Sequence, residues 1–572
     1  MGAPCDGRWR RETVGFPVQV NSPSSSSAPD DRIVRIPVDV RRFPWIRRLA
    51  ADYAYDFRSV APFFSGDPAD RAAWADAIAR TQAHEHRRAD IAAVLAAQHA
   101  RRGAPPRARE AGQLLADRRT VAIVTGQQAG LFGGPLFTLL KALTALKLAD
   151  QVSRDHGAPA VAVFWIDAED HDWEEVRACS VFDAQQTPVT VRLPPRPNAD
   201  AAPVATVRLD ESIAAAVDEL ARVLPATEFR DSLMADLRRA YVPGAGMADA
   251  FGRWLETVLG DRGLVVFDSS DPAAKPIAGG VFARELSMPG QTVRLASLAG
   301  SDLVARGYHA QVHAQDDSLA LFRLDGGRRA IRQQDGAFVV GDEQFAAAAL
   351  VEQAATRPAA FSPNVLLRPV VQDTLFPTIC YVAGPNELAY LGQLRGVYVH
   401  FGVPMPLMYP RASATLLDSA AVRFLAKYHL PLEALQPQDE AALNELLKSQ
   451  IPPVVEQSLA DAAAAIDTHM QRVIDAVPAL DPTLEGAARS TLTRMQHDLQ
   501  TLQNKMIQAA KRRDETLRRQ FMHARALAFP GGHAQERTIG FVSFLNQYGP
   551  ALVERLDEEL PLDLGRHWVV TI

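Results

Sequence analysis

The chain has 572 residues, of which 47% are hydrophobic and 22% charged, and this composition predicts a globular protein of about two or three domains. A formal net charge of −6 and a sequence pI near 6.2 argue against a nucleic-acid partner and against an anionic membrane surface. No apolar run is long enough to span a bilayer, and three cysteines at unrelated spacings predict neither a disulfide framework nor a thiolate zinc site, so we expect a protein of the reducing cytoplasm.

The beginning of the chain divides into a polar leader and a helical segment. Residues 1–31 contain the run NSPSSSSAPDD and no apolar stretch, which predicts a disordered leader and not a signal peptide. From about residue 33 to 119, alanine-rich sequence with apolar positions at helical spacing predicts helices.

Short apolar runs that end in polar residues then predict a parallel sheet. They are TVAIVTG from residue 120, PAVAVFWIDAEDHDWEEV from 159, GLVVFDSSDP from 263, TLFPTICYVAGPNELAYLGQL from 374 and VPMPLMYPRAS from 403. Strand–loop–helix units with polar strand ends are typical of a doubly wound α/β sheet, so we assign residues 32–418 to a Rossmann-like core.

Two stretches within this core have a different pattern and are predicted to be inserts, near 180–250 and 290–345. In the first, TPVTVRL and ATVRL suggest a pair of strands among helices. In the second, residues 307–342 alternate like an antiparallel meander with a DGG turn.

The C-terminal part predicts a helical arm at 419–529 and a return to the core at 530–572. Apolar residues recur in a near-heptad rhythm from Val455 to Val477, and PALDPTL interrupts it. A second seam contains Leu492, Met495, Leu499, Leu502 and Met506. Two long helices joined by a short turn form an antiparallel coiled-coil hairpin, which we expect to make the protein a homodimer.

The loop VTGQQAGLFGGP is the first candidate site. Glycines at a strand end allow close approach of backbone N–H groups to a ligand, the following helix offers its N-terminal dipole to an anion, and glutamine amides both donate and accept. The alternative is a tight turn that packs strand on helix. The predicted cofactor-binding residues of this loop are Thr125, Gly126, Gln127, Gln128, Gly133 and Gly134.

The second candidate site is the acidic cluster at the end of an apolar strand, which comprises Asp167, Glu169, Asp170, His171 and Asp172. Crowded carboxylates raise one another's proton affinity, which suits a general base, and they could also hold Mg²⁺. The alternative is a solvated strand end whose acids cap the next helix.

Two further stretches follow later strands of the predicted sheet. YVAGPNELAY carries Asn386 and Glu387, and YPRAS carries Arg411 and Ser413, where an arginine suits a phosphate or carboxylate. We expect one crevice lined from several strand ends. The predicted substrate-binding residues are Trp165, Asp167, Gly384, Asn386, Glu387 and Tyr390.

The combination of TGQQAGLFGGPLFTLLKALT, AVFWIDAEDHDWEEV, LRPVVQDTLFPTICYVAGPNELAYLGQL, PMPLMYPRASAT and QERTIGFVSFLNQYG resembles the BshC family, the cysteine-adding enzymes of bacillithiol biosynthesis. The resemblance extends over nearly everything from about residue 33 onward. It implies a Rossmann-like core, similar to class I aminoacyl-tRNA synthetases and to the cysteine ligase of mycothiol biosynthesis, with two connecting inserts and a dimerising coiled coil. The HxGH and KMSKS motifs of those synthetases are absent from this chain.

The implied reaction joins the carboxyl group of cysteine to the amine of glucosaminyl malate. His171, oriented by Asp170 or Asp172, is the expected base, and Glu169 completes the catalytic candidates. The Gly/Gln loop, Arg411 and Ser413 are expected to hold ATP or ADP. Alternatively, the loop receives the oxyanion of the reaction and Arg411 the malate carboxylates. No metal is predicted.

Two other functions remain open from the residues alone. One is a metal-dependent phosphoesterase that uses the acid and histidine cluster of residues 167–172. The other is an interaction scaffold in which the helical hairpin is the functional part.

Overall fold

The computed structural model describes residues 35–170, 172–196, 202–312, 318–325, 327–450, 453–513 and 515–572. The predicted leader, residues 1–31, lies outside the described residues. The strands are β1 Arg35–Asp39, β2 Val121–Gln127, β3 Ala160–Ile166, β4 Ala178–Phe182, β5 Pro188–Arg192, β6 Val265–Asp268, β7 Ser318–Arg323, β8 Arg329–Gln334, β9 Ala337–Val340, β10 Glu343–Ala346, β11 Phe361–Pro363, β12 Thr378–Ala383, β13 Leu407–Pro410, β14 Ser413–Leu417 and β15 Arg566–Thr571.

The helices up to the end of the core are α1 Arg48–Tyr55, α2 Phe57–Val60, α3 Arg71–Ala83, α4 Arg88–Arg102, α5 Pro106–Leu114, α6 Leu136–His156, α7 Trp173–Val176, α8 Ser212–Val223, α9 Arg230–Ala240, α10 Met247–Leu259, α11 Lys275–Ser287, α12 Gln291–Ala305, α13 Ala347–Thr356, α14 Arg368–Leu375, α15 Glu387–Leu391 and α16 Arg395–Phe401. The C-terminal helices are α17 Ser419–Lys427, α18 Ala441–Lys448, α19 Pro453–Ala476, α20 Leu484–Arg513, α21 Glu515–Ala528, α22 Gln535–Thr538, α23 Phe541–Tyr548 and α24 Ala551–Glu559.

A five-stranded parallel sheet with the order β13-β12-β2-β3-β6 forms the centre of the molecule. Its strands are apolar on both faces because helices cover both: Ile123 and Phe164 face the layer that contains α6 and α10, whereas Val124 and Val163 face the layer that contains α11 and α14. In chain order the strands read 3-2-1-4-5 across the sheet, which is the doubly wound arrangement. The predicted fold class is confirmed.

The inserts differ in detail from the predicted strands. TPVTVRL forms β5, but its partner is β4, and the ATVRL stretch contributes only an isolated bridge between Arg208 and Gly246. Residues 307–312 of the predicted meander form no strand, and its first described strand is β7, which starts at Ser318. The sheet has the order β10-β9-β8-β7-β11, so that β11 pairs with the outer edge of β7. Residues 313–317 of the predicted meander lie outside the described residues.

The two ends of the described chain meet in a second sheet. β15, close to the C-terminus, pairs antiparallel with β1 and parallel with β14. β14 follows directly from the last strand of the parallel sheet, so this small sheet attaches the C-terminal segment to the Rossmann-like core.

The antiparallel hairpin consists of α19 and α20, and its apolar seam is only half covered. Within it, Val473, Met495 and Leu502 are 44%, 38% and 47% exposed. In contrast, α17, α18 and α21 bury apolar side chains such as Leu443, Leu447 and Phe521. These three helices of the predicted arm therefore contribute to the main apolar core. No helix in the described part of the chain is sufficiently long and apolar to cross a membrane.

Candidate active site

A cavity of about 850 Å³ lies at the C-terminal edge of the parallel sheet, where the strand order changes direction. From β2 the chain proceeds to β3 on one side, whereas β12 pairs with β2 on the other side. In open α/β sheets, ligands bind in the crevice that opens at such a point. The volume is within the range of small-molecule sites. We call this space the switch-point cavity.

The first half of the Gly/Gln loop lines this cavity. Gly126 has no space for a side chain, because a Cβ atom there would lie 2.7 Å from the carbonyl oxygen of Trp165. Gln127 and Gln128 also line the cavity, and Gln128 Nε2 donates to Asp170 Oδ2 at 2.5 Å. This part of the loop is available to a ligand.

The second half of the loop is a packed turn, which corrects our prediction for Gly133 and Gly134. Both are buried, and a Cβ on Gly133 would lie 2.3 Å from the ring of Phe541. The N–H of Leu136, at the start of α6, donates to the carbonyl of Ile539 at 2.8 Å. The N-terminus of α6 is thus covered by the C-terminal segment and does not present an open anion site.

Thr125 is also structural. Its hydroxyl donates to the carbonyl oxygen of Val382 on the neighbouring strand at 3.0 Å, and its side chain is buried inside the sheet. The prediction that Thr125 binds a cofactor is therefore wrong for its side chain.

Lys141 on α6 reaches back to the end of β2. Its Nζ donates to the carbonyl oxygen of Gly126 at 2.9 Å and lies 2.7 Å from Glu387 Oε2. Burial lowers the pKa of Lys141, although the Glu387 carboxylate opposes this shift. Burial likewise opposes ionisation of Glu387, but Lys141 and the N–H of Gly384 outweigh it and keep the pKa of Glu387 below its ordinary value.

Glu387 is the centre of a polar network on the β12 side of the cavity. It accepts hydrogen bonds from the hydroxyl groups of Tyr381 at 3.1 Å and Tyr390 at 3.4 Å and from the N–H of Gly384 at 2.5 Å. The Tyr390 hydroxyl in turn accepts from Arg368 Nη2 at 3.0 Å. The network fixes the guanidinium group of Arg368 at the cavity wall.

Asp167 follows β3 directly and lies opposite Arg368. The Asp167 Oδ2 to Arg368 Nε distance is 3.6 Å, and within the described residues the Asp167 carboxylate makes no side-chain hydrogen bond. Burial raises the pKa of Asp167 above its ordinary value, and the positive charge of Arg368 only partly opposes this shift. A carboxylate with raised proton affinity and little engagement by the protein is suited to act as a general base.

Glu169 and Asp170 are bound more firmly by the protein. Glu169 is buried, forms an ion pair with Lys275 and accepts from the Ser362 hydroxyl at 3.1 Å. Burial raises the pKa of Glu169, and Lys275 opposes the shift. Asp170 lies 3.5 Å from Arg328 Nη1, and Arg328 also donates to the carbonyl of Pro363 at 3.0 Å.

The remaining members of the acidic cluster are His171 and Asp172, which were predicted to act together. His171 lies outside the described residues, so its predicted role as base stays a prediction. Asp172 is exposed and accepts a hydrogen bond from the N–H of Glu175 at 2.9 Å, which makes it the N-cap of α7. The helix-capping alternative is therefore correct for Asp172, and its predicted catalytic role is not supported.

Arg411 and Ser413 are engaged by Glu536, which corrects the prediction that they bind a phosphate or carboxylate. Arg411 forms a buried bidentate pair with Glu536 at 2.9 and 2.7 Å, and the Ser413 hydroxyl donates to the same carboxylate at 3.1 Å and contacts His567 Nδ1 at 2.7 Å. A second cavity of about 760 Å³ lies on this side, between β14, β15 and the segment around Trp45. Asn386 and Arg411 line both cavities.

Most of the predicted site residues nevertheless converge on the switch-point cavity. Those that line it are Gly126, Gln127, Gln128, Trp165, Asp167, Glu169, Asp170, Gly384, Asn386, Glu387, Tyr390 and Arg411. No group of three or more His, Cys, Asp or Glu side chains in the described ranges is arranged to hold a metal ion.

Sequence reasoning missed the cations of this cavity. Lys141, Arg328 and Arg368 all line it. Lys141 had a detectable signal, since it is the one charged residue in the apolar run LFTLLKALTAL. Arg368 stands in the motif LRPVVQD but follows no strand of the predicted sheet. Arg328 belongs to an insert, and only the tertiary fold brings it to the strand ends.

The fold and cavity define a Rossmann-like α/β protein with a polar small-molecule site at the switch point and an appended coiled coil. Two family models match the chain: "Bacillithiol biosynthesis BshC, N-terminal Rossmann-like domain" over residues 36–412 and "Bacillithiol biosynthesis BshC, C-terminal coiled-coil domain" over residues 414–572. The chain belongs to the BshC family, as the sequence motifs predicted.

Full-length relatives agree with this assignment. A protein of Salinibacter ruber is 36% identical over 92% of this chain and 96% of its own length, and one of Symbiobacterium thermophilum is 35% identical over 91% and 94%. A protein of Solibacter usitatus is 32% identical over 92% of this chain and 98% of its own length. Each bears the name "Putative cysteine ligase BshC".

Proposed function

We propose that this protein is a cysteine ligase that joins the carboxyl group of L-cysteine to the amine of glucosaminyl malate, the last step of bacillithiol biosynthesis. Membership of the BshC family and the names of the relatives support the proposal. The observation that carries it is that one cavity is lined by the guanidinium groups of Arg328 and Arg368 and by the carboxylate of Asp167. The pKa of Asp167 is raised, and the protein engages its carboxylate only weakly. A substrate with one amine and two carboxylates requires this combination.

Asp167 is the proposed general base. An amine attacks a carboxyl carbon only after it loses its proton, and the acceptor must be deprotonated yet basic enough to take that proton. Asp167 meets this requirement because burial raises its pKa and its carboxylate is turned to the cavity. Glu169 and Glu387 are less suited, because Lys275 and Lys141 respectively neutralise them.

Arg328 and Arg368 are the proposed partners of the malate carboxylates. Guanidinium groups bind carboxylates with two parallel hydrogen bonds, and these two line the same cavity wall as Asp167. They replace Arg411 in this role, since the carboxylate of Glu536 already occupies both terminal nitrogens of Arg411.

We further propose ATP as the source of carboxyl activation. A free carboxylate does not form an amide with an amine until its oxygen is converted into a leaving group. The triphosphate would not bind at the N-terminus of α6, because the segment around Ile539 covers that helix end. The exposed Arg537, which lines the switch-point cavity, is the better candidate for a phosphate contact.

Two properties of the whole protein belong to the same proposal. We propose that the chain is a homodimer through α19 and α20, on the basis of the half-exposed apolar seam of this hairpin. We also place the reaction in the reducing cytoplasm, because its product is a free thiol and Cys179 and Cys380 are free thiols themselves.

Mass spectrometry tests the proposed activity directly. The protein is incubated with L-cysteine, glucosaminyl malate and one nucleoside triphosphate at a time, and Asp167→Asn serves as the matched low-activity variant. We expect a product with the summed mass of the two substrates less one water, dependent on both. If the amide product forms with none of the nucleotides, the proposed ligase activity is wrong. Release of phosphate from phosphoesters under the same conditions would indicate the phosphoesterase, and an inert core would indicate the scaffold.

A further inference from the structure

Trp165 and Ser269 each have a buried side-chain donor that finds no hydrogen-bond partner among the described residues. The indole nitrogen of Trp165 belongs to a side chain that is 2% exposed, and the hydroxyl of Ser269 belongs to a residue that is 5% exposed. Both residues line the cavity. Because nearly all buried polar groups in folded proteins are hydrogen-bonded, an unpaired donor on a residue that lines a cavity points to a ligand atom that accepts from it.

The sheet places Trp165 and Ser269 next to Asp167 on one face. Trp165 of β3 is in register with Phe267 of β6, and their rings are 5.1 Å apart, so both side chains stand on the same face of the sheet. The pairing continues one step beyond the strands, since the N–H of Ser269 donates to the carbonyl of Ile166 at 3.3 Å. With the alternation of a strand, Asp167 and Ser269 fall on the face that carries Trp165.

The indole is held in place by packing and not by a hydrogen bond. Its Cδ1 atom lies over Gly126, 3.5 Å from the position that a Cβ would occupy, and its other side contacts Phe267. A donor that is fixed before the ligand arrives needs no reorganisation during the reaction, which is the property that makes an oxyanion site effective.

We propose that the Trp165 N–H and the Ser269 O–H donate to the carbonyl oxygen of the carboxyl group that becomes the amide, and to the oxyanion that forms there. This inference rests on the proposed ligase function and assigns two positions of the same site. No carboxylate among the described residues, Asp167 included, accepts a hydrogen bond from either donor.

The step that these donors serve is attack of the amine on a cysteine acyl phosphate or acyl adenylate, which a nucleoside triphosphate supplies. The amine nitrogen forms a bond to the acyl carbon, and the C=O electron pair moves onto the oxygen, which becomes the oxyanion held by Trp165 and Ser269. The amine proton passes to Asp167. The oxyanion then re-forms the carbonyl, and the bond from carbon to the phosphate oxygen breaks with departure of phosphate or nucleotide.

Three variants test the assignment. Trp165→Phe and Ser269→Ala each remove one donor and keep the packing, and Trp74→Phe is the matched control. Trp74 donates its indole N–H to the carbonyl of Pro68 at 2.9 Å, does not line the cavity and should affect only stability. We expect kcat to fall by about 10²-fold in each cavity variant and KM for L-cysteine to rise by a smaller factor, because a hydrogen bond to an oxyanion is stronger than the same bond to the ground-state carbonyl oxygen.

Stability and additivity distinguish this role from a structural one. Trp165→Phe and Ser269→Ala lose no side-chain hydrogen bond to any described residue, so we expect an unchanged or higher melting temperature, whereas Trp74→Phe melts lower. The double variant should lose less activity than the product of the two single losses, because both donors serve one oxygen. Unchanged kcat in both single variants overturns the proposal, and so does a loss of activity that only follows a loss of fold.

Binding separates this inference from the proposed function. Calorimetry with L-cysteine is run on the wild type and all three variants. If the wild type makes no amide product yet both cavity variants bind L-cysteine more weakly than the wild type and Trp74→Phe do, the ligase is wrong and the acceptor site stands. If the wild type makes no product and all three variants bind L-cysteine as the wild type does, both proposals are wrong. If the wild type is active and the variants match it in rate and binding, the ligase stands and the assignment of the donors fails.

Discussion

Asp167 is the residue on which the proposed chemistry depends. Asp167→Asn keeps the size and removes the proton acceptor, so we expect the rate to fall by about 10²- to 10⁴-fold while substrate affinity changes little. Because the deprotonated form is active and burial raises the pKa of Asp167, the wild-type rate should rise with pH through a range above that of an ordinary aspartate.

Initial rates from about pH 4 to 9, with saturating substrates, measure both effects across the range in which a raised carboxyl pKa falls. Asp155→Asn, which changes the same charge at the exposed end of α6, is the control and should behave as the wild type. A wild-type rate in Asp167→Asn would refute the assignment of Asp167 as general base, and His171 would then be the first candidate for that role.

His567 connects the pH of the solution to the stability of the second sheet. It is buried between the hydroxyl groups of Ser413 and Thr415, and burial lowers its pKa from 6.5 to about 4. As the pH falls from 6.5 towards 4, the unfolded chain takes up a proton that the folded protein does not. The free energy of unfolding should therefore decrease by roughly 3 kcal/mol over this window because of this one group.

His567→Gln removes this contribution and keeps a donor and an acceptor at the same position. Chemical denaturation at about pH 7 and about pH 5, on either side of the ordinary histidine pKa, should show a smaller difference for the variant than for the wild type. The remaining acid sensitivity belongs partly to His86 and His99, whose pKa values burial also lowers to about 4. His469→Gln, exposed on the hairpin, is the control. Equal pH dependence of wild type and His567→Gln would exclude this explanation.

Among the individual elements, α6 has two ends that differ in their sensitivity to substitution. Gly133 precedes the helix with a φ of 96° and lies against Phe541, whereas Gly157 follows it with a φ of 63° and has no heavy atom within 4 Å of the position that a Cβ would occupy. Gly157→Ala should cost about 1 kcal/mol, the strain of a left-handed alanine. Gly133→Ala adds the displacement of Phe541 and should cost about 3 kcal/mol or more.

Equilibrium unfolding in urea compares these two variants. Because the contact between Gly133 and Phe541 joins the core to the C-terminal segment, we expect Gly133→Ala alone to loosen residues 535–548, which hydrogen exchange would detect. Similar losses in both variants would mean that the turn tolerates a side chain by local adjustment.

For the molecule as a whole, the half-covered seam of α19 and α20 predicts association. Leu502→Glu places a charge in the exposed apolar stripe and should convert a dimer into a monomer at micromolar concentration. Gln500→Glu introduces the same charge at an exposed position, where the side chain donates to Gln503 on the same helix, and should leave the dimer intact. Light scattering measures both, and a monomeric wild type would contradict the proposal.

The class of fold and the family could both be predicted from the amino-acid sequence. Buried parallel strands need continuous apolar runs, and a hairpin of long helices needs a heptad rhythm, so both leave local patterns that a single chain displays. Polar residues at strand ends mark the site for a related reason, since ligands of an open α/β sheet bind there. Gln127, Gln128, Asp167, Asp170 and Glu387 were therefore predictable from their positions in the chain.

Long-range packing, in contrast, determines which of those polar residues face the cavity and which stabilise the fold. The sequence suggests Arg411 as a ligand-binding residue, but Glu536, 125 residues away, occupies its guanidinium group. The start of α6 suggests an anion site, but the C-terminal segment closes it. No local periodicity of the amino-acid sequence indicates contacts between segments that are so far apart in the chain. The same packing brings Arg328 and Arg368 to the strand ends and leaves the donors of Trp165 and Ser269 unpaired, because a buried polar group can be recognised as available only when all its neighbours are known.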